Sequence, residues 1–184
     1  TDELKKGDYL AFPILKEEQD LQEIELPNVK KAMDRKSKPF PSKIKLTDGL
    51  LRLFGYYLAE GHVQKREITF TFNSKEDGFV QDVQQAAKDV FGFETPITVR
   101  PSKHTAEVAI NSSQLAEIFK MWFGTGAENK KIPRFLMLLP KEKQKHMITG
   151  MWLGDGWVGK GRANYRTISR VLCEQLKVLL IRHQ

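Results

Sequence analysis

Gly55-Tyr-Tyr-Leu-Ala-Glu-Gly-His-Val63 returns 95 positions later as Gly150-Met-Trp-Leu-Gly-Asp-Gly-Trp-Val158. Gly55/Gly150, Leu58/Leu153, Gly61/Gly156 and Val63/Val158 are identical, Ala59/Gly154 are both small, and Glu60/Asp155 are both acidic. The offset holds beyond the nine residues, through Phe70/Tyr165, Ser74/Ser169, Lys75/Arg170 and Val83/Val178. A match that keeps register this far indicates two copies of one structural unit.

Each copy places two small residues four positions apart, one helical turn on one face. Two such faces let helix backbones approach closely, so the motif helices are expected to pack on each other across a pseudo-twofold axis. Gly61 and Gly156 read as left-handed helix caps. Glu60 and Asp155 then meet at two helix C-termini, where the helix dipole disfavours a carboxylate and the two charges repel. A divalent cation relieves both costs, and all-oxygen donors suit Mg²⁺ or a similar ion such as Mn²⁺. The bland alternative is two acids solvating surface helix ends.

Outward from the motifs, Thr47 caps a helix to about Glu60, and Glu67–Asn73 alternates as a strand with Ile68, Phe70 and Phe72 on one face. Ser74 is read as the cap of a helix to about Phe91. Pro96–Arg100 and Thr105–Asn111 form a hairpin around Pro101–His104, with Ile97 and Val99 inward. Ser112 starts a helix ending at Gly124–Gly126, and another runs over about Lys141–Leu153. Tyr9–Leu15 reads as a strand. The fold class is α+β, with antiparallel pairing and helices on one side.

The 184 residues are 40% hydrophobic and 29% charged, which excludes disordered and fibrous classes. Thirty Lys and Arg against 23 Asp and Glu give a net charge of +7 and point to a polyanionic partner. No apolar run reaches a membrane span, and the start shows no signal-peptide pattern. With one cysteine, Cys173, and four scattered histidines there is no internal disulfide and no Cys-based zinc site. A cytoplasmic, soluble protein without membrane partners is expected. Cys173 is read as a buried thiol and Trp157 as a packing residue.

GYYLAEGHV and GMWLGDGWV resemble the paired motifs of the LAGLIDADG (DOD-type) homing endonucleases, in their two-motif, single-chain and intein-encoded form. The stretch from about Leu46 to the end carries the likeness. It implies two pseudo-symmetric αββαββα units packed through the motif helices, and metal ions held by Glu60 and Asp155. Members found in inteins place a basic residue near the metals in a K-x-I-P segment. Lys130-Lys-Ile-Pro133 fits, with Lys130 the carried-over residue and Lys131 its alternative. ELKKGDYLAFP resembles the passage from an intein splicing domain into its endonuclease. The splicing nucleophile and C-terminal His-Asn are absent, so the chain is not expected to splice. The domains are then residues 1–27, a β segment of splicing-domain type; 28–45, a linker with seven Lys and Arg against one acid; 46–140, the first repeat; and 141–184, a truncated second.

The implied activity is hydrolysis of both strands of a long DNA duplex. Thr69 and Thr71, facing away from the helices, are expected to read DNA, with Asn164 and Arg166 as their register partners and Thr98 and Arg100 from the hairpin. Lys65, Arg66, Lys103, Lys160 and Arg162 lie at loops and strand ends, where lysines and arginines mostly touch phosphate. Counterparts of Pro96–Asn111 are missing from the second unit. Its sheet is therefore expected to be short and its helix Val171–Ile181 poorly covered. The expectation is either that the natural chain continues past Gln184 or that the piece is truncated and pairs with a partner or with itself. Rival readings are a non-catalytic DNA-binding protein of the same fold, an RNA maturase and an inactive remnant.

Overall fold

The computed structural model describes residues 5–9, 11, 14–29, 41–64 and 66–183. Strands β1 (Glu23–Glu25) and β2 (Lys43–Lys45) pair antiparallel. The first unit follows: α1 (Asp48–Glu60), β3 (Gly61–Gln64), β4 (Glu67–Asn73), α2 (Asp77–Phe91), β5 (Ile97–Arg100), β6 (Thr105–Ile110) and α3 (Ser113–Phe123). A connector holds the short helix α4 (Arg134–Met137). The second unit is α5 (Lys141–Asp155), β7 (Gly156–Gly159), β8 (Arg162–Tyr165) and α6 (Arg170–Arg182). Most of the basic linker, Lys65, and part of the expected strand Tyr9–Leu15 lie outside the described residues. The described residues of Tyr9–Leu15 are not in a strand.

The first sheet has the antiparallel order β3-β4-β6-β5. Register puts Ile68, Phe70 and Phe72 opposite Ile110, Val108 and Ala106. All six are buried beneath the helices. The centre is aromatic: Tyr57, Phe119 and Phe123 stand 4.9 to 5.2 Å apart by ring centre, and Phe54 packs beside them. Such edge-on and tilted pairs add to the gain from burial alone.

Helices α1 and α5 form the seam between the units. A Cβ on Gly55 would lie 2.1 Å from the Met147 carbonyl, and one on Gly150 2.3 Å from the Arg52 carbonyl. Only hydrogen fits there, as the small-residue spacing predicts. Gly61 and Gly156 are a correction. Their φ/ψ of −87°/149° and −89°/153° are extended, not left-handed, because each opens a strand, β3 or β7, directly off the helix. Glycine is needed for room: a Cβ on Gly61 would sit 2.4 Å from the Tyr57 ring, and one on Gly156 2.4 Å from the Trp152 carbonyl.

Thr47, Ser112 and Ser169 each cap a helix through a side-chain oxygen. Ser74 does not. Helix α2 starts three residues later, after Glu76. Ile97 and Val99 face the helix side, opposite Val108 and Ala106. They nonetheless stay 45% and 56% exposed, because β5 is the edge strand and the helices do not reach over it. Helix α6 is better covered than expected. It buries Leu172, Leu176 and Leu179, and Gln175 pairs with both backbone groups of Ile132 at 2.7 Å. Arg182 donates to the carbonyl of Leu139 and to Glu18. Cys173 is only partly buried.

Candidate functional site

Helices α1 and α5 end side by side, with the spot a Cβ would take on Gly154 only 3.1 Å from Cγ of Glu60. The seam thus delivers Glu60 and Asp155 to one place, as the repeat predicts. Burial is the main force lifting the Glu60 carboxyl to about 7, the charge of Asp155 adds to it, and Lys130 pulls the other way. Burial also raises Asp155, again against Lys130.

Lys130 reaches this place across the seam. Its ammonium donates to the Ala59 carbonyl at 2.9 Å, in the last turn of α1, and stands 5.8 Å from the centre of the Tyr57 ring. That carbonyl carries the negative end of the helix dipole. Burial lowers the lysine to about 8, partly countered by Asp155 and Glu60. Its backbone is pinned too: the Ser169 hydroxyl donates to the Lys130 carbonyl at 2.6 Å. Lys131 is exposed, so of the two lysines only Lys130 faces the acids.

Beside the pair opens a cavity of about 310 Å³, lined by Leu58, Ala59, Lys130, Asp155, Arg166 and Thr167 among others. Arg166 was expected on the outer strand face. Strand β8 ends one residue earlier, at Tyr165, and the arginine lines the cavity instead. Tyr165 itself packs on Trp152 at 5.8 Å. Its buried hydroxyl has no hydrogen-bond partner among the described residues. Burial, then Asp155 and Glu60, push that phenol above its ordinary value. The 95-residue register had paired Tyr165 with Phe70, which marks a hydroxyl gained in the second unit. It could not reveal that the hydroxyl is buried and unpartnered.

The other candidates divide between open and engaged. Thr71, Thr98 and Arg100 occupy the sheet face away from the helices, in register with Glu107 and Thr105. Thr69 shares that face but is buried, at 6% exposure, so it is not open to a partner. Arg100 donates to Glu107 at 2.9 Å. Arg66 and Lys103 are exposed at turns, and Lys160, Arg162 and Asn164 are exposed in the β7–β8 hairpin. Lys160 and Gly161 both have positive φ, at 49° and 72°, in keeping with a two-residue hairpin turn. Trp157, expected inside, is 54% exposed on the face it shares with Asn164.

Two oxygen donors suit a hard cation. No group of three or more His, Cys, Asp or Glu that could hold a metal occurs among the described residues. No helix among those residues is long and apolar enough to cross a membrane.

Residues 49–122 match the family model described as a LAGLIDADG-like domain. The match supports a LAGLIDADG-like domain over the first unit. An uncharacterized protein of Methanocaldococcus jannaschii is 29% identical over 98% of this chain and 23% of its own length. An iron–sulfur cluster assembly SufBD family protein of Mycobacterium tuberculosis is 30% identical over 80% of the chain and 18% of its own length. The DNA polymerase II large subunit of Thermococcus kodakarensis is 29% identical over 72% of the chain and 8% of its own length. The chain therefore spans less than a quarter of each of these relatives.

Proposed function

We propose, taking the LAGLIDADG-like match over residues 49–122 as premise, that the protein is an intein-encoded, two-motif homing endonuclease that hydrolyses both strands of a duplex DNA target. The observation that carries this reading is the convergence of Glu60, Asp155 and Lys130 at the end of the α1–α5 seam. A protein that only binds DNA gains nothing from two half-buried carboxylates beside phosphates. The intein assignment draws support from the relatives. Similar segments, each a small share of its host, recur in proteins as differently named as a SufBD family protein and a DNA polymerase subunit. That is the pattern of an inserted element.

The donor set fits Mg²⁺ or Mn²⁺. The two carboxylates are held together at a cost, and both gain from a shared positive charge. Glu60 and Asp155 would hold the metal, which when bound supplies a nucleophile at neutral pH and charge stabilisation at phosphorus. Lys130, pre-oriented by the Ala59 carbonyl, stabilises negative charge growing on the phosphoryl oxygens. Thr71, Thr98 and Asn164 offer hydrogen-bonding groups to base edges. Arg66, Lys103, Lys160 and Arg162 contact the backbone, which makes binding steeply salt-dependent.

The test is single-turnover cleavage, with Mg²⁺, of a plasmid carrying the uninterrupted host-gene junction. Glu60→Gln and Asp155→Asn should each abolish linearisation, and Lys130→Ala should slow it by ~10²-fold or more. Full activity in either carboxylate variant would sink the two-carboxylate site.

A further inference from the structure

The acids that precede β1 are spent on cations of three other elements. Glu17 meets Arg134 on α4 at 2.8 Å, Glu18 meets Arg182 on α6 at 2.5 Å, and Asp20 meets Lys143 on α5 at 2.6 Å. The backbone is fastened between them. The Gln19 amide donates to the Leu138 carbonyl at 2.8 Å, and Lys143 also donates to the Leu21 carbonyl. Arg182 is nearly buried and Lys143 mostly so, while the three acids are half-exposed. Just past these contacts the same segment changes unit. The Gln22 carbonyl accepts from the Leu46 amide at 2.9 Å, and β1 pairs with β2, which leads into Thr47 and α1. Residues 17–25 therefore join the N-terminal end of α5 to that of α1. The acid pair sits at the other end of both helices, about 18 Å away at ~1.5 Å per residue. Close small-residue contact holds the seam from Gly55 and Gly150 to Ala59 and Gly154. Such contact sets how near two rods lie, but their crossing angle also needs a fastening toward the opposite end. There the structure has His146 against Asp48 at 3.4 Å, and the segment 17–21.

We propose that residues 17–21 are a salt-releasable strap that clamps the second unit onto the first and holds the crossing angle of the motif helices. Each exposed ion pair is weak alone, but three on one five-residue segment hold and release it together. A pull on the chain before Glu17 is then felt along the seam. Only the bearing on cleavage rests on the endonuclease reading above: with the strap lifted, Glu60 and Asp155 lose their fixed spacing.

Hydrogen exchange on the full chain, without DNA or metal, tests the strap directly. The triple variant Glu17→Gln, Glu18→Gln, Asp20→Asn removes the charges and keeps the side-chain sizes. The Gln19 amide and those of the N-terminal half of α5 should exchange about tenfold faster than in wild type, and those of α3 within about twofold. At about 1 M NaCl, where charges are screened beyond about 3 Å, wild type should approach the variant and the variant should barely respond. Glu174→Gln, which breaks the exposed pair with Lys177 on α6, should change neither. A wild-type Gln19 amide that exchanges as in a free peptide, an α5 unmoved by the triple variant or by salt, or an α3 accelerated equally overturns the strap. In a second arm, single-turnover cleavage with Mg²⁺ at saturating protein should be about tenfold slower in the triple variant. Equal rates overturn the strap's hold on the acid pair. A wild-type protein that cuts nothing overturns the endonuclease reading and leaves the exchange result to decide the strap.

Discussion

In the first unit, motif helix α1 lies under a four-stranded sheet whose β4 buries Ile68, Phe70 and Phe72 completely or nearly so. In the second, α5 carries only the β7–β8 ribbon, and Val158, a repeat partner of Val63, is 70% exposed. The seam and the acid pair are common to both units; the cover is not. The difference teaches that the site depends on the helix contact rather than on equal sheets. Stability and chemistry are then distributed unevenly: the first unit supplies most of the core, while both units and the connector line the cavity.

The widest expected gap tests that division. Phe70→Ala should cost ~3–5 kcal/mol, as for a large ring removed from a packed core. Val158→Ala should cost under ~0.5 kcal/mol, as on an open surface. Urea denaturation of both variants measures the gap, and similar costs would mean that the second ribbon is covered in solution. At the seam itself the two units should agree. Gly55→Val and Gly150→Val each push a side chain into a partner backbone and should each cost ~3 kcal/mol. Gly78, with nothing near its missing Cβ, is the contrast: Gly78→Ala should be neutral or stabilising by ~0.5 kcal/mol. Unequal costs at Gly55 and Gly150 would break the symmetry claimed for the seam.

The repeat itself made much of this legible. Small residues four apart identified the seam, and register alone brought Glu60 to Asp155. Alternation found β4 and β6, and capping chemistry found Thr47 and Ser112. What was not legible depended on neighbours distant in sequence. Strands β3 and β7, such as Gly-His-Val-Gln, are too short to show a period, so Gly61 and Gly156 looked like helix stops rather than strand starts. Ile97 and Val99 alternate like core residues, yet nothing in their pattern reveals that the helices stop short of the edge strand. Arg166 follows the alternation of a strand that has already ended.

A further difference lies in how each unit fastens its polar groups. The first has the Arg52–Asp82 pair, with bonds of 2.7 and 2.8 Å and a third from the Tyr56 hydroxyl at 3.1 Å, which ties α1 to α2. The second instead uses buried Gln144 and Arg182 to satisfy carbonyls of the connector. Hydrogen bonding and charge from Arg52 lower the Asp82 carboxyl below its usual range, against a smaller opposing effect of burial. A folded-state pKa below the unfolded one gives stability that is full above about pH 4 and is lost as pH falls through the folded value. Asp82→Asn should therefore cost ~1–2 kcal/mol at pH 7, discounted for partial exposure. The gap to wild type should narrow in acid. A constant gap from pH 7 to pH 3 would assign the pair a packing role rather than an ionic one.

The smallest effect concerns a position where the second unit carries a polar atom in place of a buried apolar one in the first. Tyr165 takes the register place of Phe70, and its hydroxyl is buried without a partner among the described residues. An unsatisfied buried hydroxyl costs ~1–3 kcal/mol, yet much of the ring's contact with Trp152 would survive its removal. Tyr165→Phe should hence leave stability unchanged or raise it by up to ~1 kcal/mol in thermal or urea melts without metal. The hydroxyl lies close enough to the acids for both to raise its pKa, after burial, the larger cause. If Tyr165→Phe instead lowers stability, an ordered water already satisfies the hydroxyl in the free protein. The two units would then differ by a bridged water rather than by a donor held in reserve.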